Sequence, residues 1–289
     1  MSKVKIITER ISSLSFDFAS KNDIHLIPAN VIYQGKTVKE DTDEKCEQFV
    51  RQLESLDEIP KTAVISPAEM KQHFLEATKN TDQAIYISAS SKLSSIHSLG
   101  LQTAKSLSST GKEIRVFDSE ILVSMEGLMA YESSKLSREG KSIDEIWKFL
   151  ERTRDQRLID EYGVIGTLKY LEKGGRIGKA KAWLGGLLSF KPVITHMNGT
   201  LEPISKVRTY AQGIAVVIKK IREQIDRVKP SKIKVMYDYG TTKDYIKSEV
   251  DPVIQKEFSP EVMSYNQISM TVACHFGPEV WGVAFYMEK

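Results

Sequence analysis

The first part of the chain alternates short apolar runs with segments whose apolar residues recur at helical spacing. The apolar runs predict strands at residues 3–8, 24–38 with a turn at Gly35, 62–66, 83–88 and 113–119. Segments of helical periodicity separate these runs, and two further helices follow the last of them. Because parallel strands need long crossover connections, this repeated order predicts a parallel sheet covered by helices.

Two helices of this part carry the sequence signal of an N-terminal cap. Ser66 is followed by Pro67 and Glu69, and Ser142 is followed three residues later by Glu145. The serine hydroxyl and the glutamate carboxylate of such a capping box each accept a hydrogen bond from a backbone amide that the helix leaves unpaired. We therefore predict that one helix begins directly after Ser66 and another directly after Ser142.

The second part of the chain has a different character. Apolar runs predict strands at 191–197, 232–240, 261–266 and 281–287, and helical periodicity predicts two long helices near 208–228 and 242–257. No linker rich in serine and glycine separates the two parts. From the length of the chain we expect two α/β domains, residues 1–159 and residues 160–289.

The segment GGRIGK, residues 174–179, raises the question of a phosphate-binding loop. A P-loop needs four residues between its glycines and a serine or threonine after the lysine. Here three residues separate Gly174 from Gly178, and Ala180 follows the lysine. The preceding residues have helical spacing, so we interpret Gly174 and Gly175 as the left-handed end of a helix. This interpretation leaves Arg176 unexplained.

Composition and charge narrow the class of protein. Hydrophobic residues make up 41% of the chain and charged residues 27%, which is typical of a soluble protein. The net charge of +3 is too small to indicate nucleic-acid binding. Cys46 and Cys274 have no metal-ligand spacing and fit a reducing compartment. No signal peptide and no run of the roughly 18 apolar residues of a membrane span is found, so we expect a cytoplasmic location.

A serine-rich segment follows the predicted strand at 83–88. Its serines are Ser88, Ser90, Ser91, Ser94 and Ser95. In a parallel sheet, ligands bind beyond the C-terminal ends of the strands, and a helix that begins there offers unpaired amides to an anion. Hydroxyl donors without metal ligands suit a carboxylate or a phosphate oxygen. The alternative, that these serines are only cap and turn residues, stays open.

The sequence offers little support for covalent catalysis or for a metal centre. No serine lies in a G-x-S-x-G motif. The histidines are scattered, without an H-E-x-x-H motif or another metal-binding pair. They are His25, His73, His97, His196 and His275. Each of them is more typical of a packed or surface histidine than of a catalytic one.

The segment TLKYLEKGGRIGKAKAWLGGLLSFKPVITHMNGTLEPISKVR, residues 167–208, resembles the signature of the DegV family of bacterial fatty-acid-binding proteins. Further segments agree with that family in order and spacing, so that the resemblance spans nearly the whole chain. They are TERISSL, IPANVIYQGKTVKEDTD, PKTAVISP, ISASSKLSS, VFDSE and HFGPEVWGVAFY.

The resemblance implies a two-domain α/β fold with a ligand cleft between the domains. It implies a Rossmann-like N-terminal domain with a parallel sheet and a C-terminal domain with a mostly antiparallel sheet. The cleft is expected to hold one long-chain fatty acid, without a cofactor or a metal. Relatives with a defined role present the carboxylate to a fatty-acid kinase, and transient contact with a membrane surface is compatible with this role. The binding protein itself contributes no catalytic residue.

The resemblance also assigns roles to individual residues. Thr62 and Ser94 match hydroxyl groups that contact the carboxylate, the amide of Ser95 adds a donor, and His275 matches a histidine near the same head group. Arg176 and Arg208 match basic residues at the cleft mouth, where they serve the kinase encounter or the acyl-phosphate product. The segment 182–190 and the helix after VFDSE are expected to line the acyl chain.

The chain departs from the family pattern around the head group. Thr8-Glu9-Arg10 stands where T-D-S is common, Lys92, Ser95 and Ile96 replace two glycines and a threonine, and Ala273-Cys274 precedes the histidine without the usual hydroxyl residue. Two alternatives therefore stay open. One is a binding protein for another amphipathic anion, such as a lysophospholipid or an isoprenoid acid, without a kinase partner. The other is an acyl-transfer or phosphoryl-transfer enzyme that uses the serine-rich segment.

Overall fold

The computed structural model describes residues 4–184 and 190–289. The strands are β1 (Lys5–Glu9), β2 (Ile24–Ile27), β3 (Ala29–Tyr33), β4 (Lys36–Glu40), β5 (Lys61–Ala63), β6 (Gln83–Ser88), β7 (Glu113–Asp118), β8 (Ile159–Ile165), β9 (Lys191–Met197), β10 (Thr200–Val207), β11 (Lys232–Tyr239), β12 (Glu261–Gln267) and β13 (Val280–Glu288). The helices are α1 (Phe16–Lys21), α2 (Asp43–Gln52), α3 (Pro67–Ala77), α4 (Ile96–Leu107), α5 (Val123–Arg138), α6 (Ile143–Asp155), α7 (Lys169–Lys173), α8 (Tyr210–Val228), α9 (Lys243–Tyr245), α10 (Asp251–Phe258) and α11 (Met270–Phe276). Short 3-10 turns occur at Arg10–Ser12, Leu53–Ser55, Ser108–Thr110 and Gly178–Trp183, and a π-helical turn at Ile246–Val250 joins α9 to α10.

Sheet A is parallel and has the strand order β2-β1-β6-β7. Its register places Ile7 opposite His25 on one side and Tyr86 on the other. The two central strands, β1 and β6, are largely buried and read as apolar runs, which is typical of parallel sheets covered on both faces. This arrangement confirms the predicted parallel sheet, and it brings the loops after β1 and β6 to the same edge.

Sheet B contains the predicted strand at 62–66 and differs from expectation. It has the order β4-β3-β5, and β3 pairs antiparallel with both neighbours. The turn predicted at Gly35 joins β3 to β4, with φ of +49° at Gln34 and +73° at Gly35. Strand β5 is exposed or half-buried, unlike the central strands β1 and β6 of sheet A, and it pairs with the hairpin rather than with the parallel sheet. As a result Thr62 lies opposite Val31.

Sheet C contains the strands of the second part of the chain, in the order β10-β9-β8-β13-β11-β12. Its pairs are antiparallel from β10 to β11 and parallel between β11 and β12. This confirms a mostly antiparallel second sheet. Its first strand begins at Ile159, beside the predicted boundary between residues 159 and 160, which itself stays a prediction.

Helix α5 lies between sheet A and sheet C. It packs on β1 and on β8, β11 and β13. Its residues Met125, Leu128 and Met129 share one hydrophobic core with Val283 and Phe285 of sheet C. The two halves of the chain are therefore joined by a continuous apolar core. Among the described residues, no helix is long and apolar enough to span a membrane.

Both predicted capping boxes are present. The Ser66 hydroxyl accepts from the amide of Glu69 at the start of α3, and the Ser142 hydroxyl accepts from the amide of Glu145 at the start of α6. In each case the glutamate carboxylate accepts a hydrogen bond from the serine amide. The two helix starts are therefore confirmed, because each cap satisfies donors that the helix cannot.

Some elements differ from the predicted pattern. The helix predicted over 242–257 is divided by the π-helical turn, directly before Pro252, whose ring nitrogen cannot donate to the helix. Strand β10 was not predicted, although Asn198 and Gly199 have φ of +50° and +77° and form the Asn-Gly turn typical of a hairpin. Helix α11 was also not predicted, because it has seven residues and is buried on most sides.

Candidate functional site

The loops at the C-terminal edge of sheet A, together with β5 and α11, enclose a cavity that we call the head-group cavity. Its lining residues are Ile11, Thr62, Leu93, Ser94, Leu122, Arg176, Leu201, Thr271, Val272, His275 and Phe276. Three residues that the resemblance assigned to the head group, Thr62, Ser94 and His275, are thus brought together from distant parts of the chain. Arg176, which the resemblance assigned to the cleft mouth, lines the same cavity.

His275 faces Thr62 across this cavity. Its Nε2 lies 3.4 Å from the Thr62 hydroxyl, which is longer than a usual hydrogen bond, and its Nδ1 is buried without a hydrogen-bond partner. Burial, and then the positive charge of Arg176, lowers the pKa of His275 to about 4. The ring is therefore neutral near pH 7 and offers one N–H donor, not a positive charge, to a ligand.

The segment GGR connects α7 to this cavity. Gly175 has φ of +72° and supplies the left-handed residue after the helix, which confirms part of the predicted cap. Gly174 has a right-handed backbone, so the prediction was wrong for this residue. A β-carbon at Gly174 would lie 2.0 Å from Nδ1 of His275. Gly174 is therefore required by the close approach of the imidazole ring.

Arg176 holds two backbone segments that surround the cavity. Its Nε donates to the carbonyl of Leu93 at 3.2 Å, and its Nη1 donates to the carbonyl of Gly174 at 2.8 Å. The guanidinium group therefore ties the serine-rich loop to the end of α7. It lies beside the head-group cavity as well as at its mouth.

Ser94 and Ser95 stand at the start of α4. The Ser94 hydroxyl accepts from the amide of Ile96 at 3.3 Å, whereas Ser95 holds the cap position without a side-chain hydrogen bond to the helix. The amides of Leu93 and Ser94 donate to the carbonyl of Ser90. Ser94 thus combines a local helix-start contact with a place in the cavity wall.

The remaining serines of this loop have structural partners. The hydroxyl of Ser88 donates to the carbonyl of Phe117, and the hydroxyl of Ser90 donates to the carbonyl of Gly199. Ser88 also lies 2.9 Å from Nδ1 of His97. Ser88 is fully buried and is not among the lining residues of the head-group cavity, so this serine–histidine pair is not placed to attack a bound ligand.

A second cavity, which we call the mouth cavity, continues from the first. The two share Ile11, Thr62, Ser94, Arg176 and Thr271. The mouth cavity has a volume of about 400 Å³, against about 50 Å³ for the head-group cavity. Ser95, Ile96, Ala63, Val64, Ile65, Pro28, Ala29 and Glu9 complete its wall. The mouth cavity falls in the range of about 300–1,000 Å³ that small-molecule sites occupy.

The two segments expected to line the acyl chain are placed differently. In the segment after VFDSE, Leu122 lines the head-group cavity. In the segment 182–190, Trp183, Leu184 and Phe190 pack against the core on the same side of the molecule, and residues 185–189 lie outside the described residues.

Arg208 lies apart from the other predicted site residues. It is exposed, follows β10 directly and donates its backbone amide to the side chain of Gln212 at 2.8 Å. It is not among the residues that line the head-group cavity or the mouth cavity. Its role in an encounter with a partner stays a prediction.

Two pairs of buried carboxyl groups adjoin the cavities, and the sequence did not predict them. The first pair is Glu9 with Glu126. Glu9 accepts from the amide of Ala89 at 2.7 Å, and Glu126 accepts from the Thr8 hydroxyl at 2.5 Å. Burial raises the pKa of Glu9 to about 7, and burial together with the charge of Glu9 raises that of Glu126 well above its usual range. Burial therefore favours the protonated form of Glu126.

The second pair is Glu161 with Asp238 on sheet C. Asp238 accepts from the amide and the hydroxyl of Ser124. Burial and the neighbouring Asp238 raise the pKa of Glu161 well above its usual range, and burial raises that of Asp238 to about 6. Because two adjacent buried carboxylates repel each other, the pair favours a state in which one of the two is protonated.

These two carboxyl groups line a narrow space that we call the deep cavity. His196 and Trp281 also line it, and it meets the head-group cavity at Phe276. Both ring nitrogens of His196 and the indole nitrogen of Trp281 are buried without a hydrogen-bond partner. Burial lowers the pKa of His196 to about 3, so its ring is neutral. The volume is only about 10 Å³, close to what one water molecule requires.

A buried ion pair positions the helix that carries His275. Arg10 and Glu40 are both nearly inaccessible to solvent, and Nε of Arg10 lies 2.9 Å from the Glu40 carboxylate. The other oxygen of Glu40 accepts from the amide of Met270 at the start of α11. Arg10 is one of the departures from the family pattern, so the structure shows what this departure does: it anchors α11.

Some of these residues left a signal in the sequence, and others did not. Glu126 and Asp238 each interrupt an otherwise apolar segment, which is a recognisable sign of a buried charged group, whereas Glu9 and Glu161 stand next to another charged residue and gave no such sign. Thr271 lines both cavities but belongs to the short helix that hydrophobic periodicity did not reveal.

Comparison with known proteins identifies similar chains. The family model described as an uncharacterised protein of the DegV family matches residues 3–288. A DegV domain-containing protein of Clostridium acetobutylicum is 33% identical over 297 aligned positions, and the alignment covers 100% of both chains.

Solved structures with the same fold include two fatty-acid-binding proteins. A DegV family protein from Thermus thermophilus, described by its fatty acid binding, has 26% identity and a TM-score of 0.87, with 99% of each chain covered. A stearic acid-binding protein from Eubacterium ventriosum has 21% identity and a TM-score of 0.87, with 99% of this chain and 98% of the other covered. The second comparison shows a common fold.

Proposed function

The chain belongs to the DegV family, and on this basis we propose that it binds one long-chain fatty acid with the carboxylate in the head-group cavity. The observation that carries the proposal is the convergence of Thr62, Ser94 and His275 on this cavity. A carboxylate that leaves water stays charged only if several donors replace its hydration. Two hydroxyl groups and a neutral imidazole provide them, and the positive charge of Arg176 lies beside them.

We assign the acyl chain to the apolar walls of the two connected cavities. Ile11 belongs to both cavities, and Val64, Ile65 and Ile96 provide apolar wall in the mouth cavity. Leu93, Leu122 and Phe276 provide it in the head-group cavity. Each buried methylene contributes about 0.8 kcal/mol, so a chain of sixteen carbons contributes roughly 12 kcal/mol before the costs of binding. Because the head-group cavity is small, a long chain occupies the mouth cavity or displaces side chains.

We further propose that a fatty-acid kinase phosphorylates the bound carboxylate and that this chain itself is not the enzyme. The exposed position of Arg208 on the protein surface, where a partner can contact it, supports this proposal. The role requires access to ATP, so the location that we propose is the cytoplasm. Contact with a membrane surface, if any, is brief and serves the uptake of the lipid.

The decisive experiment is native mass spectrometry of the purified protein, followed by extraction and identification of the bound lipid. We expect one fatty acid per chain. Thr62→Val should weaken fatty-acid binding roughly tenfold to a hundredfold, since a hydrogen bond to a charged group contributes about 1.5–3 kcal/mol. Thr62→Ser keeps the hydroxyl and should bind as the unchanged protein does. A protein that is isolated empty and takes up no fatty acid of any chain length would exclude the proposal.

The kinase step needs a separate test. Arg208→Ala should retain the lipid but lower acyl-phosphate formation by the kinase, whereas Arg222→Ala, an exposed control on α8, should leave both unchanged. Arg176→Ala should weaken lipid binding as well, because it removes the link between the carbonyls of Leu93 and Gly174. Unchanged kinase turnover with Arg208→Ala would remove that residue from the encounter.

A second candidate ligand is an amphipathic anion with an additional polar group on its chain. The observation that favours it is the deep cavity, where His196, Trp281 and Glu161 present polar atoms without hydrogen-bond partners. An unsubstituted acyl chain that passed Phe276 would leave these atoms unpaired, at a cost of about 1–3 kcal/mol for each. A hydroxyl or carbonyl group at that depth would pair with them.

Competition between matched lipids tests the second candidate. Stearic acid and hydroxystearic acids with the hydroxyl at different positions are compared as ligands by isothermal titration calorimetry. Preference for one hydroxylated isomer, lost in His196→Leu, would favour the second candidate. Equal or weaker binding of every hydroxylated isomer would favour the unsubstituted fatty acid.

A further inference from the structure

A cluster of metal-binding side chains lies outside the site described above. His25 is on β2, at the edge of sheet A, and His73 is on α3, which packs against that strand. Nε2 of His25 and Nδ1 of His73 face each other at 3.1 Å. Glu76 is one helical turn after His73, and one ligand atom from each of the three residues lies within 4.8 Å of the other two.

We propose that His25, His73 and Glu76 form a binding site for a zinc ion. Zinc in proteins prefers imidazole nitrogen and carboxylate oxygen in tetrahedral geometry, at about 2.0–2.1 Å from each nitrogen. Two nitrogens 3.1 Å apart, each at that distance from one ion, subtend an angle of about 100° at the metal, close to the tetrahedral value. The two nitrogens lie within hydrogen-bond distance of each other, so each ring turns from its neighbour towards the ion on binding, while the distance between the nitrogens already suits a shared ion.

The surroundings of the site suit a bound ion. The two rings are half-buried, and Glu76 is exposed and therefore able to rotate towards them. A cavity of about 330 Å³, lined by His25 and Glu76 among others, leaves room for a water molecule as a fourth ligand.

The neighbouring Lys5 and the two cysteines are compatible with a zinc ion at this site. Lys5 lines the same cavity, and its ammonium group lies 2.5 Å from the carboxylate of Asp23, which offsets its positive charge. The two cysteines, which would compete for zinc, are both buried. The site joins an edge strand to a helix at the end of β2 remote from the head-group cavity, so its role is structural. The sequence did not predict it, because His25 lies 48 residues before His73.

The test uses the untagged full-length protein after treatment with a chelator. In isothermal titration calorimetry with zinc chloride we expect one zinc ion per chain, confirmed by native mass spectrometry. Cobalt(II) in place of zinc should give the strong visible absorption of tetrahedral coordination. Zinc should raise the melting temperature, and magnesium should not, because magnesium prefers six oxygen ligands.

Substitutions of the three proposed ligands test which side chains bind the zinc ion. His25→Ala and His73→Ala should each weaken zinc binding by more than about tenfold and abolish the shift in melting temperature, with Glu76→Gln weakening it less. The variant His97→Ala, which changes a histidine outside the cluster, should bind zinc normally.

Circular dichroism of the metal-free variants separates a folding defect from a lost ligand. If His73→Ala does not fold, the exposed Glu76→Gln decides instead, with unchanged zinc affinity counting against the site. No binding at a one-to-one ratio, or full binding by the His25→Ala/His73→Ala double variant, overturns the proposal.

Discussion

At the scale of single residues, the neighbouring glycines Gly174 and Gly175 have different physical roles. Gly174 makes room for His275, whereas Gly175 adopts a left-handed conformation with no atom within 4 Å of an added β-carbon. Gly174→Ala should therefore displace the imidazole and weaken fatty-acid binding by about tenfold or more, with a loss of about 1–3 kcal/mol in the free energy of unfolding. Calorimetric titration with a fatty acid and urea denaturation measure the two effects.

Gly175→Ala is the matched control for this prediction. It should cost about 1–2 kcal/mol of stability through backbone strain but leave fatty-acid affinity unchanged. Equal affinities for the two alanine variants would mean that the position of His275 does not matter for binding.

At the scale of elements, the ion pair between Arg10 and Glu40 holds α11 against the rest of the fold. Removing one partner leaves the other buried and uncompensated, which costs about 3–5 kcal/mol. We expect this loss in the free energy of unfolding for Arg10→Met, measured by urea denaturation. Because α11 carries His275, the variant should also bind fatty acid more weakly.

The double variant Arg10→Met/Glu40→Gln separates charge burial from packing. It removes both charges, and the glutamine oxygen can still accept from the amide of Met270, so it should be more stable than Arg10→Met alone. A double variant less stable than Arg10→Met would show that packing of the arginine side chain, not the buried charge, dominates.

At the scale of the whole molecule, the sequence was sufficient for the elements with strong periodicity or clear caps. The strand at Gln83–Ser88 and the helix start at Ser142 agree with the pattern because local spacing and local hydrogen bonds determine them. The carboxyl pairs were not predictable in this way. Glu161 meets Asp238 only because β8 and β11 both flank β13, and such contacts depend on the tertiary arrangement.

The family resemblance located more of the head-group site than residue patterns alone. Thr62 and His275, 213 positions apart, were assigned to one site by the resemblance and do lie across one cavity. For Arg208 the resemblance was less informative about position. This residue is exposed and does not line either cavity, because the turn before α8 holds it at the surface.

The buried carboxyl group of Glu9, which lines the mouth cavity and pairs with Glu126, should contribute an unusual dependence of stability on pH. In the unfolded chain Glu9 loses its proton near its ordinary pKa, but in the folded protein burial raises this pKa to about 7. At Glu9 the folded state therefore binds more protons than the unfolded state between about pH 4.5 and pH 7, so the contribution of this residue to stability falls as the pH rises through this window.

Buried histidines and the other raised carboxyl groups also change their protonation on unfolding, so the contribution of Glu9 is measured as a difference between variants. From pH 6.5 to pH 8 the unchanged protein should lose on the order of 1 kcal/mol more of its free energy of unfolding than Glu9→Gln does. The exposed control Glu58→Gln should follow the unchanged protein. Urea denaturation at closely spaced pH values measures the difference, and parallel profiles for the unchanged protein and Glu9→Gln would mean that Glu9 is already ionised at pH 6.5.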